Sequence, residues 1–278
     1  MPDPFGQRGV WVSRRVGTEK LVGIARTAEK LGYGAVWIGG GGEPGVFDLV
    51  SAVLDATTGV KVASGIANIW VETPESVTDA WHRIEDAHPG RLYVGLGISH
   101  ARMIEGYEHP LAKTRDFLDE LDAQDDPLPP GRRLIAALGP KMLDLAAHRA
   151  LGTHPYLVTT TNTEAARAGI GDGVVAAELG VVLEPNLASA REQGRKAIEY
   201  YFGLPNYTNN WLRAGFTQDD LAAGGSDRLL DAVLALGDRD AVAARVAEHR
   251  AAGADHVCLQ ILGATPDYEA TLRALADA

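Results

Sequence analysis

The fold is decided by two apolar runs, VASGIANIW at residues 62–70 and RLYVGLGISH at residues 91–100. Each run is too short and too rich in glycine and β-branched residues for a helix, so both are predicted to be buried strands of a parallel sheet. Both end in glycine and small polar residues. Because parallel sheets bind ligands at the carboxyl ends of their strands, the two runs indicate a ligand site as well as a core.

Strand-like runs recur along the whole chain, and nearly every gap between them has a helical pattern. The predicted strands cover residues 9–13, 35–39, 61–68, 91–98, 134–138, 155–159, 175–183 and 256–261. Eight strand-helix units in a chain of 278 residues predict an α/β fold of the (β/α)8 TIM-barrel class, for which roughly 250 residues is typical. We interpret residues 1–278 as a single domain.

Residues 184–237 depart from this alternation, because they have a helical pattern but no predicted strand. The segment is longer than one crossover helix needs, so we predict a helical insertion after strand 7 that lies over the barrel mouth. Its aromatic residues are Tyr200, Tyr201, Phe202, Tyr207, Trp211 and Phe216. Two interpretations stay open: the rings pack the helices together, or they form an apolar wall of a substrate pocket.

The composition is that expected of a soluble cytoplasmic enzyme. Hydrophobic residues make up 46% of the chain, and no run approaches the ~20 apolar residues of a transmembrane helix. The N-terminus has no basic flank and apolar stretch typical of a secretory signal. A formal net charge of −11 argues against binding to nucleic acid or to an acidic membrane. The single cysteine, Cys258, has no partner for an internal disulfide.

Two other barrel chemistries have little support in the sequence. A Schiff-base aldolase needs a lysine at the carboxyl end of a strand, but Lys61 begins its predicted strand. A metal-dependent hydrolase needs clustered histidines and carboxylates at strand ends. The histidines of this chain are dispersed, with His154 and His256 at the starts of strands. We therefore predict no metal site.

Four segments together resemble the bacterial luciferase-like superfamily. They are AEKLGYGAVWI at 28–38, TGVKVASGIANI at 58–69, GRLYVGLGISH at 90–100 and LGPKMLDLA at 138–146. Within them, GIANI and GLGISH resemble the actinobacterial branch that is assigned to the deazaflavin coenzyme F-420. The resemblance covers nearly the whole chain in the right order. Four motifs at matching strand ends are more specific than any one glycine-rich loop.

The resemblance implies an oxidoreductase that transfers a hydride between coenzyme F-420 and a small organic substrate. An FMN-dependent monooxygenase of the same fold is the alternative, and a catalytically silent flavin-binding barrel is another. Relatives commonly form dimers through the helices that flank the second and third strands. A homodimer is therefore implied for this chain.

The resemblance also implies where the cofactor ring lies. Relatives commonly have a bulge with a non-prolyl cis peptide at the end of the third strand, behind the ring. The matching residues are Ser64, Gly65 and Ile66, and the matching bond is Gly65–Ile66. Without the resemblance, close packing inside the barrel would be the preferred explanation of this glycine.

Two further segments match the phosphate side of the cofactor in relatives. One is the loop after the fourth strand, and the other is the start of the helix after the fifth strand, where free N–H groups suit an anion. The matching residues are Gly97, Ile98, Ser99, Leu138, Gly139, Pro140 and Lys141.

The sequence departs from the sugar-phosphate dehydrogenases that use the same coenzyme. Those relatives have an acidic residue and a histidine just after the second strand, and an acid in the loop after the fourth. The same places hold four glycines at residues 39–42, and Ile98 and Ser99. His100 is therefore the nearest candidate for a catalytic proton transfer, because a neutral imidazole exchanges a proton near physiological pH. A structural, hydrogen-bonding histidine is the alternative.

Overall fold

The computed structural model describes residues 4–100, 102, 104, 106–263 and 266–276. The strands are β1 (Arg8–Ser13), β2 (Ala35–Gly39), β3 (Lys61–Asn68), β4 (Leu92–Gly97), β5 (Arg133–Ile135), β6 (Gly152–Thr153), β7 (Val174–Leu183), β8 (Leu234–Gly237) and β9 (His256–Ile261). The α-helices are α1 (Thr18–Lys30), α2 (Val46–Ala56), α3 (Pro74–Ala87), α4 (Pro110–Asp122), α5 (Pro140–Arg149), α6 (Thr160–Ile170), α7 (Leu187–Ile198), α8 (Pro205–Arg213), α9 (Gln218–Leu221), α10 (Asp227–Val233), α11 (Arg239–Ala251) and α12 (Tyr268–Ala274). Short 3-10 helices cover Arg14–Val16, Pro130–Arg132, Glu199–Gly203 and Ala222–Gly224. Within these ranges no helix is long and apolar enough to cross a membrane.

Eight of the strands form a closed parallel barrel, which confirms the predicted (β/α)8 fold. The order around the barrel is β6, β5, β4, β3, β2, β1, β9 and β7, and pairing of β6 with β7 closes the ring. Helices follow the strands and cover the outside. Because the strands are parallel, their carboxyl ends meet at one face, where barrels of this class bind their ligands.

The predicted sixth strand at residues 155–159 is wrong. The strand is Gly152–Thr153, and the apolar run after it is irregular. Leu157 has a φ of 50°, and its N–H donates to the Glu178 carboxylate at 2.9 Å instead of to a neighbouring strand. Thr159 ends the run as the N-cap of α6, accepting the Asn162 N–H at 3.2 Å. The run is apolar because it is buried over the barrel, and burial alone does not make a strand.

Strand β8 lies in the segment for which no strand was predicted. Gly180 of β7 pairs with Leu234 of β8 and with Gln260 of β9, so β8 lies on the side of β7 opposite to β9. Four residues, LALG, carry too little pattern to distinguish a strand from part of a buried helix. The rest of residues 184–237 contains α7 to α10.

Local signals explain how the outer helices begin. The Thr73 hydroxyl accepts the Ser76 N–H at 3.1 Å, and Pro74 occupies the first helical position of α3. The apolar face of this helix, including Val77 and Ile84, packs against the outside of the barrel. Helical spacing therefore places one face of α3 on the core.

Large aromatic side chains fill the lower part of the barrel. The Trp37 ring stacks on the His154 ring at a centroid distance of 4.2 Å, and its Nε1 donates to His256 Nε2 at 3.1 Å. Trp37 is fully buried, so it belongs to the core and not to a pocket wall. This layer forms a floor, and the candidate site lies above it.

Candidate active site

The end of β3 forms one edge of the barrel mouth. The pairing of β3 with β4 shifts register after Ser64, and the Gly65–Ile66 peptide is cis, as the resemblance implied. The Ser64 hydroxyl donates to the Gly95 carbonyl at 2.9 Å, and Trp11 Nε1 donates to the Gly65 carbonyl at 2.8 Å. These buried hydrogen bonds hold the bulge from both sides.

Glycines surround the bulge because the neighbouring backbone leaves no room for side chains. A Cβ on Gly95 would lie 2.2 Å from the Ser64 carbonyl oxygen, and one on Gly40 would lie 2.3 Å from the Ile66 carbonyl oxygen. A Cβ on Gly97 would lie 2.8 Å from the Ile66 Cγ1 atom. Gly97 and the bulge are thus in direct contact. We call Ser64, Gly65, Ile66 and Gly97 the bulge edge.

The loop after β4 leads from the bulge edge to helix α8. Ile98 packs against the core, and Ser99 has a φ of 53°, which turns the chain. His100 Nδ1 lies 3.4 Å from Asn206 Nδ2, and its ring centroid lies 5.4 Å from that of Tyr207. Burial lowers the pKa of His100 to about 4, so its imidazole is neutral at pH 7.

The other predicted phosphate-side segment lies at the start of α5. Gly139 is the N-cap, Pro140 is the first helical residue, and no side chain caps the helix. A Cβ on Gly139 would have the Arg213 guanidinium as its nearest neighbour, at 3.9 Å, so the backbone here is open. Arg213 donates to the Leu138 carbonyl at 3.2 Å, and Lys141 is exposed in the first turn. A helix N-terminus beside two cations suits an anion.

Three tyrosines, which we call the tyrosine wall, line the opposite side of the mouth: Tyr156, Tyr201 and Tyr207. The Tyr201 ring lies 4.9 Å from the Tyr207 ring and 5.6 Å from the Tyr156 ring. The Tyr201 hydroxyl donates to the Tyr156 hydroxyl at 3.1 Å, which in turn donates to Gln260 Oε1 at 2.6 Å. The wall is therefore one cluster built from the loop after β6 and the segment after β7, in which Tyr156 and Tyr201 are hydrogen-bonded and Tyr207 packs against both rings.

The aromatic residues of segment 184–237 fall into two groups by their contacts, and a pocket-lining role for any of them stays a prediction. Trp211 is fully buried, lies 5.1 Å from Phe202, and donates through Nε1 to the Leu157 carbonyl at 3.0 Å. These rings pack the helices together. Tyr201 and Tyr207 instead contact Tyr156 and His100 at the mouth.

A buried carboxyl group, which the sequence analysis missed, lies beside the tyrosine wall. Glu178 on β7 is fully buried, and its Oε2 accepts the Leu157 N–H at 2.9 Å. Its Oε1 has no hydrogen-bond partner among the described residues. Burial raises the pKa of Glu178 to about 8, so it is mainly protonated at neutral pH. The sequence did contain one signal for this residue, a single acid inside the apolar run VVAAELGVVL. Such an acid is buried with its strand and therefore needs either a partner or a proton.

The floor below the site is also uncharged. His154 Nδ1 donates to the Ala176 carbonyl at 2.7 Å, and burial lowers the pKa of His154 to about 4. Its Nε2 lies 3.3 Å from the position of a Cβ on Gly65. In the part of the chain that the structure describes, no three metal-ligating side chains come together.

Comparison with protein families agrees with this architecture. The family model described as luciferase-like monooxygenase matches residues 5–124, which include the bulge edge. The resemblance to the luciferase-like superfamily is thereby confirmed, while assignment to its actinobacterial branch stays a prediction. Comparison with curated protein sequences finds no match.

Solved structures with the same fold include F-420-dependent enzymes and a monooxygenase in complex with FMN. An F-420-dependent secondary alcohol dehydrogenase, in complex with an F-420-acetone adduct, has a TM-score of 0.78 at 14% identity, covering 98% of both chains. The coenzyme F-420-dependent tetrahydromethanopterin reductase from Methanopyrus kandleri has a TM-score of 0.71 at 16% identity, covering 99% of this chain and 98% of that one. The oxygenating constituent of 3,6-diketocamphane monooxygenase from Pseudomonas putida, in complex with FMN, has a TM-score of 0.63 at 15% identity, covering 98% and 95%. At these identities the likeness establishes the fold.

Proposed function

We propose that this protein is a luciferase-like oxidoreductase that transfers a hydride between coenzyme F-420 and a small organic substrate. The observation that carries the proposal is the open start of α5, where Gly139 lies beside Arg213 and is followed, two residues later, by the exposed Lys141. This place fits the phosphate of a flavin or deazaflavin. An FMN-dependent monooxygenase is the second candidate, supported by the FMN complex among the structures of the same fold.

In this proposal the ring lies against Gly65 and Ile66, the tail follows 97–99, and the phosphate lies at 139–141. When bound, the cofactor supplies the hydride chemistry. The chain binds and orients it, and exposes one face to the substrate. Trp11 supports the bulge from below through its bond to the Gly65 carbonyl, and the tyrosine wall on the far side excludes water from the mouth.

His100 is the proposed proton-transfer residue of this site. Its ring lies between the bulge edge and the tyrosine wall, and desolvation, which lowers its pKa to about 4, keeps it neutral. A neutral imidazole offers both a donor and an acceptor nitrogen. Proton exchange with the substrate therefore does not require a paired carboxylate.

The test of the proposal is a binding titration with F-420, FMN and FAD side by side. We expect F-420 to bind most tightly, and we expect Gly139→Val to weaken its binding by about tenfold or more, because the side chain crowds the phosphate. Gly139 has an ordinary extended φ of −108°, so the variant should fold. Tighter binding of FMN would favour the monooxygenase, and binding of none of the three would overturn the proposal. Unchanged affinity in folded Gly139→Val would remove the phosphate assignment.

Steady-state turnover with reduced coenzyme separates an enzyme from a silent flavin-binding barrel.

We also propose that the protein is a cytoplasmic homodimer whose partner is a small-molecule substrate, with no role for nucleic acid or membrane. The net charge of −11 and the resemblance support these assignments. Light scattering that gives the mass of one chain, 29.5 kDa, would contradict the dimer.

A further inference from the structure

We propose that the barrel mouth takes an uncharged aromatic carbonyl compound as the substrate, and that Glu178 donates a hydrogen bond to its carbonyl oxygen. This inference rests on the proposed function and specifies the substrate class of the same site. It draws on Glu178, Trp11 and the tyrosine wall, none of which has a role in holding the phosphate.

Glu178 faces the bulge edge across the barrel. Strand β7 lies four places from β3 in either direction around the eight-stranded ring. Glu178 pairs in register with Cys258, which belongs to the interior cluster, so its side chain points into the barrel. Its neighbour Leu157 follows Tyr156, whose ring lies 5.6 Å from Trp11. Trp11 in turn bonds the Gly65 carbonyl, so a continuous arc of contacts joins the carboxyl group to the bulge.

The free oxygen of Glu178 requires an acceptor. Oε2 is occupied by the Leu157 N–H, while Oε1 is buried and has no partner among the described residues. A protonated carboxyl group carries one O–H donor, and a buried donor without an acceptor is costly. A ligand carbonyl at Oε1 removes this cost. The same arrangement, a carboxylic acid kept neutral by an apolar site, is known to serve as a hydrogen-bond donor in enzymes.

The surrounding groups favour an uncharged, planar ligand. Trp11 and the tyrosine wall present four aromatic rings, which bind flat apolar surfaces by stacking and edge contacts. His100 and Glu178 are both neutral at pH 7, so the mouth gives little compensation for burying a charged substrate. Arg15 lowers the pKa of Tyr201, but burial outweighs this effect and raises that pKa to about 12.

The titration of Glu178 can be isolated from that of its neighbours. Glu178 acts electrostatically on four ionisable groups: Tyr156, Tyr201, Tyr207 and Cys258. Burial raises the pKa of each of them, to about 12 for Tyr201, so these groups stay neutral where Glu178 loses its proton. A change in ligand preference near pH 8 therefore reports Glu178.

The test compares three small probes of similar size: acetophenone, ethylbenzene, which lacks the carbonyl, and benzoate, which is charged. Calorimetric titration measures their affinities, and ring signals of 13C-labelled tyrosine locate binding at the tyrosine wall. We expect acetophenone to bind about tenfold more tightly than ethylbenzene at about pH 6.5, and benzoate more weakly than either. The preference for acetophenone should disappear by about pH 9, as the carboxyl group ionises.

Two variants at Glu178 complete the experiment. Glu178→Gln keeps a neutral donor and should retain the preference at both pH values, while Glu178→Leu should lose it at both. The pH series on the unmodified protein keeps the test decisive if Glu178→Leu folds poorly. A preference that is unchanged by pH, or equal in Glu178→Leu, overturns the proposal. Failure of every probe to bind while F-420 binds also overturns it and leaves the proposed function standing. If the protein prefers the carbonyl probe but binds neither F-420 nor FMN, the proposed function is overturned and the role of Glu178 stands.

Discussion

The bulge edge and the tyrosine wall face each other across the same barrel mouth, but they are built in different ways. The bulge edge depends on close backbone packing: the neighbouring Gly40 and Gly95 fit against its carbonyl oxygens, and its own Gly97 fits against the Ile66 side chain, at distances that exclude a Cβ. The tyrosine wall is made of side chains from segments far apart in the sequence, joined by ring contacts and by the hydroxyl groups of Tyr156 and Tyr201. We therefore expect substitutions at the first to act on the fold, and substitutions at the second to act mainly on ligands.

The largest effect is expected for Gly95→Ala beside the bulge edge. Its Cβ would lie 2.2 Å from the Ser64 carbonyl oxygen, which the β3–β4 pairing prevents from moving away. We expect a loss of about 3 kcal/mol in the free energy of unfolding, measured by urea denaturation. The matched control is Gly139→Ala at the neighbouring strand end, where the Cβ has room and the loss should be about 1 kcal/mol or less. Equal losses in the two variants would contradict the close packing of the bulge edge.

His100, which lies between the two regions, gives the next largest effect. His100→Asn keeps a polar side chain but cannot exchange a proton, so we expect kcat to fall of order 10²-fold with little change in cofactor affinity. The measurement uses reduced coenzyme F-420 and the first substrate that turns over. Lowered thermal stability with normal turnover per folded molecule would instead assign His100 a structural role. Turnover at the parent rate would leave solvent or the substrate as the source of the proton.

Changes of pH should lower the free energy of unfolding through different buried groups on the acid and the alkaline side. Burial lowers the pKa of His154 from 6.5 to about 4, so the unfolded chain binds the extra proton and stability falls as the pH drops from about 6.5 towards 4. Burial raises the pKa of Glu178 from 4.5 to about 8, so the folded chain keeps its proton and stability falls as the pH rises through this range.

Burial also lowers the pKa of His256 to about 4, so this residue adds to the loss of stability at acid pH. We therefore expect the free energy of unfolding to be largest near pH 6.5 and to decline by about 1 kcal/mol per pH unit towards pH 8. Denaturation curves across this range provide the measurement. Glu178→Gln should abolish the alkaline decline and keep the acid one. An alkaline decline that persists in this variant would show that another group causes it.

The contrast also explains how much the sequence could predict. The barrel follows from repeated apolar runs, whereas the bulge at Gly65 and Ile66 was implied by the resemblance to a family and not by the residues alone. Local patterns did not reveal Glu178, because its raised pKa comes from complete burial inside the assembled barrel, which a short stretch of sequence does not show. The error at residues 155–159 has the same origin, since Leu157 is held by a long-range bond to Glu178.

The smallest effect is expected for Tyr201→Phe in the tyrosine wall. The lost hydroxyl donates one hydrogen bond to Tyr156, which keeps its own bond to Gln260. Because Tyr201 and Tyr156 are only half-buried, water replaces the missing donor, and the free energy of unfolding should change by no more than about 1 kcal/mol. Tyr156→Phe, the matched variant, leaves Gln260 without its donor and should cost more. If Tyr201→Phe destabilised the protein as much as Gly95→Ala, the wall would be a structural element like the bulge edge, and its proposed role in substrate binding would lose its basis.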